Sequence, residues 1–278
     1  KKYFMVSTDC HANEPPDLWA TRLPVEYRDR APRIITDDKG VQWRFCEGYR
    51  PDRVRVMSFE GEDWVRSKAG ADPKDRIRDN TRDGIDVEII FPNKGLAMWA
   101  TPDPVFANAQ CKVWNDWAWE QFGPYPDAMV PVASIATGDL PGAMAEIERT
   151  AKLGYRVLSF PCKPIWGSHD VDHVNYNLPH FDPMWALIEE VGMPFTFHVS
   201  TGRDPRAARG NGGAVINYVS HSLSPTIEPV ANLCASGVLE RFPKLRFATV
   251  EAGIGWVPWL LDAMDEAYRK HHMWVRPK

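Results

Sequence analysis

The sequence predicts an α/β protein built as a (β/α)8 TIM-like barrel, and three observations carry that expectation. Short apolar, β-branched runs alternate with helix-period segments, the pattern of parallel β/α units. Helix-stop signals lead directly into the next apolar run. Three of the runs end in Asp, His or Glu, and a barrel gathers the C-terminal ends of its strands at one mouth, where reactive side chains sit. A doubly wound sheet is the alternative, but metal-type residues at three separate strand ends favour a closed ring. Six units are legible, so a single domain over 1–278 is expected that lacks the last two units of the barrel.

The strand-like runs cover 3–8, 86–91, 129–135, 155–160, 194–199 and 245–250; the helix-period segments cover 74–84, 103–121, 139–153, 179–191, 226–240 and 254–270. The clearest helix start is Thr137-Gly138-Asp139-Leu140-Pro141, where Asp139 caps free amides and Pro141 sits in the first turn; Gly154 is the stop. Asp182-Pro183 and Gly192 bracket the next helix in the same way. Two segments break the rhythm. Within 34–66, the turn Thr36-Asp37-Asp38-Lys39-Gly40 and the alternating Val41-Gln42-Trp43-Arg44-Phe45 predict a small β-hairpin insertion. Residues 201–214, rich in Gly and Arg, read as a mobile loop beside the site; they lack the GxGxxG phosphate-binding pattern.

Chemistry is suggested first at the start of the chain. Asp9 and His11 are two apart, so on a strand both project to the same face, and carboxylate oxygen with imidazole nitrogen suits Zn, Mn or Fe. Pro194-Phe195-Thr196-Phe197-His198 and Leu245-Arg246-Phe247-Ala248-Thr249-Val250-Glu251 supply two further strand ends. The expected site is Asp9, His11, His198 and Glu251 around one or two divalent ions, with Glu251 also the candidate general base. His221 is a candidate acid or substrate-orienting group, against a loop histidine bonded to backbone. Arg203, Trp256 and Asn13 are the candidate substrate contacts. Arg203, with Arg206 and Arg209, could clamp a carboxylate, although solvated loop charges are the simpler reading. Trp114, Trp117, Trp119, Trp256 and Trp259 could line an apolar pocket, with core packing preferred. Either Asn13 or Glu14 could orient a ligand, and Glu14 could equally cap the next turn. His169, His173 and His180 read as loop histidines and His271-His272 as a solvated helix end.

Composition narrows the partners. A formal net charge of −4 and a pI near 6.1 provide no broad basic field, so nucleic acid is excluded as the expected partner and a small molecule preferred. Cys10, Cys46, Cys111, Cys162 and Cys234 are odd in number and scattered, which argues against a disulfide framework and for a reducing compartment. No apolar run reaches the ~18 residues of a membrane span, and no leader pattern opens the chain, so a cytoplasmic location is expected.

The opening Asp9-Cys10-His11-Ala12-Asn13-Glu14-Pro15, the run Phe197-His198-Val199-Ser200-Thr201-Gly202, Ser224-Pro225-Thr226-Ile227-Glu228-Pro229 and Gly237-Val238-Leu239-Glu240-Arg241-Phe242-Pro243-Lys244-Leu245 together resemble the amidohydrolase-2 family. That is the branch of the metal-dependent amidohydrolases related to aminocarboxymuconate-semialdehyde decarboxylase. The resemblance covers essentially the whole chain and implies metal ligation by Asp9, His11 and His198. Two departures stand out. Glu251 occupies the place of the family's sixth-strand His, and Asp9 that of a commoner His or Glu. The family pattern also runs on through two further strands, the last bearing an Asp that completes the metal site, and no such motif follows here. The resemblance therefore implies that the rest of the barrel comes from a second polypeptide or from a segment outside this sequence, and that the enzyme is an oligomer. The implied function is metal-dependent hydrolysis or non-oxidative decarboxylation of an apolar or aromatic carboxylate. An iron- and O2-dependent hydroxylase on the same fold and a non-catalytic subunit of a heteromeric enzyme are the alternatives.

Overall fold

In a computed structural model that describes residues 3–54, 59–68, 72–165, 174–202, 208 and 210–274, the chain begins β1 (Val6–Ala12), α1 (Leu18–Arg22), β2 (Arg33–Thr36), β3 (Gln42–Cys46), β4 (Tyr49–Arg53), α2 (Gly61–Lys68), α3 (Pro73–Asp83) and β5 (Val87–Pro92). It continues through α4 (Pro104–Phe122), β6 (Met129–Pro131), β7 (Ala133–Ser134), α5 (Leu140–Leu153), β8 (Leu158–Phe160), α6 (Asp182–Val191) and β9 (Phe195–His198). The last elements are α7 (Gly213–Ile216), a π-helix (Asn217–Leu223), α8 (Ser224–Ala235), α9 (Val238–Arg241), β10 (Phe247–Val250) and α10 (Val257–His271).

Local chemistry sets the helix ends. Asp72, Asp103 and Asp139 each accept a hydrogen bond from a first-turn amide and each is followed by a proline in that turn. Gly84, Gly154 and Gly192 end α3, α5 and α6 in the left-handed conformation, so those boundaries match the sequence signals. The expected helix over 226–240 is instead two helices. Gly237, at φ +71°, breaks it between α8 and α9.

The strands form a curved wall. β1 pairs β5, β5 pairs β6, β7 pairs β8, β8 pairs β9 and β9 pairs β10, all in parallel. β6 and β7 are two halves of one strand, joined through Val132, whose amide donates to the Ile90 carbonyl while that of Ala133 donates to the Val157 carbonyl. Six strands thus follow one another in chain order, without the reversal of a doubly wound sheet. In a flat sheet β1 and β9, four places apart, would lie ~19 Å from each other. Yet the rings of His11 on β1 and His198 on β9 are 5.1 Å apart between centroids, so the wall is strongly curled. Among the described residues no strand closes the gap between β10 and β1.

Alternation along the strands sorts the core into an inside and an outside. Phe91, Val130, Val132, Val157 and Val250 pack together on the concave face, a small branched set of the kind that fills a barrel. The opposite face is aromatic. Phe160, Phe195 and Phe197 pack there with Trp185 of α6, and Trp114 and Trp117 of α4 fill a neighbouring helix-facing cluster. The first tryptophan group is therefore core, as preferred; Trp259, at 63% exposure, is not.

Two further expectations need correction. The first strand covers Val6–Ala12 rather than 3–8, because the pairing with β5 begins at Val6 and Tyr3 and Phe4 are exposed ahead of it, which places Asp9 and His11 inside the strand instead of beyond it. The insertion is a three-stranded antiparallel sheet, β2-β3-β4, followed by α2, rather than a hairpin. It is pinned to the barrel by Arg30, which grips Glu47 through Nε (2.8 Å) and Nη2 (2.6 Å), reaches Asp103 at 2.9 Å and stacks on Phe106. The β3–β4 turn is glycine by necessity: Gly48 has φ +77°, and a Cβ there would lie 1.8 Å from the Ala100 carbonyl oxygen.

Gly40, at φ +76° in open space, provides a control for that contact. Gly40→Ala should cost about 1 kcal/mol for the left-handed backbone, and Gly48→Ala at least ~2 kcal/mol because the clash adds to it. Equal shifts of the urea midpoint in the two variants would contradict this packing.

Candidate metal centre

The site is made by Asp9 and His11 in the C-terminal half of β1, His198 at the end of β9 and Glu251 just past β10. Pairing of β1 with β5 runs Val6 with Val87 and Ser7 with Glu88, then resumes at Cys10 with Ile90 and His11 with Phe91, so β1 carries one extra residue between Ser7 and Cys10. This bulge has a consequence. Phe91 faces the concave side, and its partner His11 must do the same; without the extra residue the alternation from Val6 would turn Asp9 and His11 towards the helices.

The ligand-type atoms of Asp9, His11, His198 and Glu251 all lie within 4.8 Å of one another. Asp9 Oδ1 is 3.3 Å from His11 Nε2 and 3.4 Å from His198 Nε2, and Glu251 Oε2 is 3.9 Å from His198 Nε2. His11 Nδ1 lies 2.9 Å from the Pro92 carbonyl and His198 Nδ1 2.8 Å from the Val199 carbonyl. A carbonyl only accepts, so each Nδ1 donates, and each neutral ring turns a bare Nε2 lone pair to the centre. Two lone pairs then face two carboxylates. Such a set repels itself unless a cation or protons lie within it, and neighbouring ligands at bond lengths of about 2.0–2.1 Å would sit ~3.4 Å apart. The donor set therefore fits a divalent ion.

Glu251 reaches the cluster by a local distortion. It follows Val250, which faces the concave side, so a regular strand would point Glu251 outward; its φ of +59° turns it back. Its side chain is half-exposed and those of Asp9 and His11 are about a third exposed, whereas His198 is fully buried. The Trp256 indole donates to the Ala252 carbonyl (2.9 Å), fastening the turn after it. In the protonated, metal-free site the His198 hydrogen bond is the largest influence on Asp9 and holds its carboxyl below the usual range, against the opposing effect of burial.

Other expected residues take varied places. Asn13 accepts from the Asn93 side chain at 2.5 Å. Glu14, buried, caps neither its own turn nor a ligand; its carboxylate accepts from the amides of Asn93, Lys94 and Gly95 and so fixes the loop after β5. His221 lies on the π-helix, outside the four-residue group, with Nδ1 buried and without a hydrogen-bond partner. His180 is exposed beside Phe181, and the exposed His271 and His272 end α10. Arg203, Arg206, Arg209, His169 and His173 lie outside the described residues.

Sequence reasoning missed a cavity. Arg44, Cys46, Tyr49, Asn93, Lys94, Leu96, Ala97 and Ser200 line a space of about 170 Å³ between the three-stranded sheet and the barrel mouth. Asn93 immediately follows β5, and Ser200 is two past His198. Only tertiary structure brings the insertion's Arg44 and Tyr49 to these strand ends.

The amidohydrolase family model matches residues 8–278. The chain belongs to the amidohydrolase family. It is accordingly a metal-dependent enzyme of that family. Solved structures share the fold at low identity. An amidohydrolase from Mycobacterium avium subsp. paratuberculosis K-10 is 17% identical with TM-score 0.78, the match covering 100% of this chain and 79% of that one. The 2,6-dihydroxybenzoate decarboxylase from Rhizobium is 18% identical with TM-score 0.59, over 99% and 73%. A 5-carboxyvanillate decarboxylase variant from Novosphingobium aromaticivorans DSM 12444, with bound manganese and 3-methoxy-4-hydroxy-5-nitrobenzoic acid, is 18% identical with TM-score 0.67, over 100% and 74%. No curated protein matches the chain. Among the described residues, no helix is long and apolar enough to cross a membrane.

The Asp9 environment sets an acid limb for the metal-free protein. A carboxyl depressed in the folded state adds stability above its unfolded value near 3.8, and that increment disappears as pH falls through the lower folded value. In chelator-treated protein, wild type should exceed Asp9→Asn in urea midpoint at pH 6 and converge with it below pH 3.8. A difference independent of pH would contradict the His198 contact.

Proposed function

We propose that the amidohydrolase-family chain is a metal-dependent, non-oxidative decarboxylase of a small aromatic carboxylate, with Asp9, His11, His198 and Glu251 as the residues that hold the cation. The single observation that carries this reading is the convergence of two imidazole Nε2 atoms and two carboxylates within 4.8 Å, with both Nδ1 atoms turned to backbone carbonyls. The decarboxylases and the manganese of the fold neighbours support the choice of reaction and of Mn, with Zn and Fe the other candidates. A divalent ion held there supplies Lewis acidity towards the substrate's oxygens.

The chain's own residues do the rest. The cavity of about 170 Å³ suits a single ring, and Arg44 and Lys94 in its wall give it the positive charge to hold an acid. Asn13 orients Asn93 at that wall, Trp256 steadies the turn behind Glu251, and Arg203 is retained as a substrate contact. Glu251, half-exposed, relays a proton from solvent through its oxygen not engaged with the cation to the ring carbon as the C–C bond breaks and the carboxyl group leaves as CO2, with the unpartnered His221 Nδ1 as a second proton carrier. Five cysteines without disulfides are consistent with a cytoplasmic location. Among the described residues the edges of β10 and β1 are open and Phe4 and Trp259 are exposed, which supports completion of the barrel by further polypeptide on this chain or another, and an oligomeric enzyme.

Metal analysis of the purified protein should find divalent metal, and Asp9→Ala and His198→Ala should each lose it together with CO2 release from aromatic acids. Metal retained at wild-type stoichiometry in both would favour the non-catalytic subunit. Turnover should persist under strict anaerobiosis; its loss without O2 would replace this reading with the iron-dependent hydroxylase. Arg44→Gln should raise KM by about tenfold or more with little change in kcat, as expected for loss of a charge-assisted contact made in ground and transition states alike.

A further inference from the structure

The geometry points to Arg76, held by Glu88, as a positioning residue that locks the β1 bulge and so aims Asp9 and His11 at the metal. This inference rests on the proposed ligand set and extends it to a residue outside the cluster.

On the outward side of the bulge, Ser7 and Cys10 come together, Oγ to Sγ 3.1 Å, although they are three residues apart and would face opposite ways on a regular strand. Glu88 of β5 lies against Cys10 and is the register partner of Ser7. Burial pushes the Cys10 thiol up, so it remains a neutral packing group here. Arg76 of α3 then closes the arrangement. Its Nε and Nη2 take both Glu88 oxygens, at 2.6 and 2.9 Å, and its Nη1 donates to the backbone carbonyl of His11 at 2.9 Å. One rigid guanidinium fork thereby ties α3, β5 and the ligand-bearing part of β1 together.

The pair is almost fully buried, Arg76 at 9% and Glu88 at 3% side-chain exposure. Stability alone does not call for such a pair, because desolvation offsets most of its attraction and an apolar replacement often serves as well. What an apolar replacement cannot do is hold the His11 carbonyl. Freed from it, β1 can slip by the inserted residue, and a one-residue slip turns Asp9 and His11 away from His198.

The experiment compares wild type, Arg76→Met, Arg76→Lys, Glu88→Gln and the remote core variant Ile147→Ala, all in the full chain. Mn(II) and Zn(II) affinity is measured by chelator competition per folded molecule, the Co(II)-substituted absorption spectrum is recorded, and His11 and His198 ring 15N shifts are read in metal-free protein. Arg76→Met should weaken metal binding by about 10- to 100-fold, the range for loss of groups that orient ligands. It should also alter the Co(II) bands and move the His11 shifts while sparing those of His198. Arg76→Lys, which can still reach the carbonyl, should recover part of the affinity, and Glu88→Gln should fall between. Ile147→Ala should bind metal as wild type does. Wild-type affinity, spectrum and His11 shifts in Arg76→Met would overturn the inference, as would an equal loss in Ile147→Ala. Absence of metal binding in the wild type would instead remove the proposed centre, and the His11 shifts would still decide whether Arg76 holds β1.

Discussion

The structure depends on the curl of a six-stranded parallel wall. Hydrogen bonding fixes neighbouring strands at a constant spacing, so the ends of β1 and β9 can meet only if the sheet bends around on itself. The bend is supported from both faces. Small branched residues and Phe91 fill the concave side, and the bulky aromatics of β8, β9, α4 and α6 occupy the wider convex side. A barrel-type taper thus follows from where large and small side chains fall on alternating strand positions.

At the mouth, regular secondary structure is given up twice to bring the four residues together. The β1 bulge re-aims Asp9 and His11, and the left-handed backbone at Glu251 returns a carboxylate that a regular strand would turn away. Each distortion carries a conformational penalty and is fastened nearby: the bulge by Arg76 and Glu88, the Glu251 turn by the Trp256 indole. Carbonyls orient both imidazoles, leaving their Nε2 atoms to a cation. Binding free energy from that cation would offset the repulsion its absence leaves, so metal occupancy and the stability of the mouth are coupled.

The inserted β2-β3-β4 sheet adds a charged wall beside the candidate metal centre. Arg30 and Gly48 hold it over the loop that Glu14 caps, and its Arg44 and Tyr49 wall the cavity next to the strand ends. Part of the charge in that wall, that of Arg44, comes from a segment whose sequence suggested only a small hairpin; Lys94 of the loop after β5 supplies the rest.

Much was legible in the chain alone, because its signals are local. Aspartate-proline starts and glycine stops fix most helix boundaries within a turn, alternation of β-branched runs with helical segments implies a parallel barrel, and ligand-type residues at three strand ends name the four members of the candidate site. The phase of those side chains was not local. Spacing put Asp9 and His11 on one face, but which face was set by the bulge, by pairing with β5 and by a guanidinium from α3. Glu251 likewise needed a positive φ that no neighbouring residue signals, and Arg44 is carried to the mouth by an insertion fastened through Arg30 to Asp103 and through Gly48 against Ala100, far away in sequence. The sequence by itself determined the fold class and the chemical groups; tertiary structure decided where they point and what surrounds them, since direction depends on strand register and long-range packing rather than on residue type.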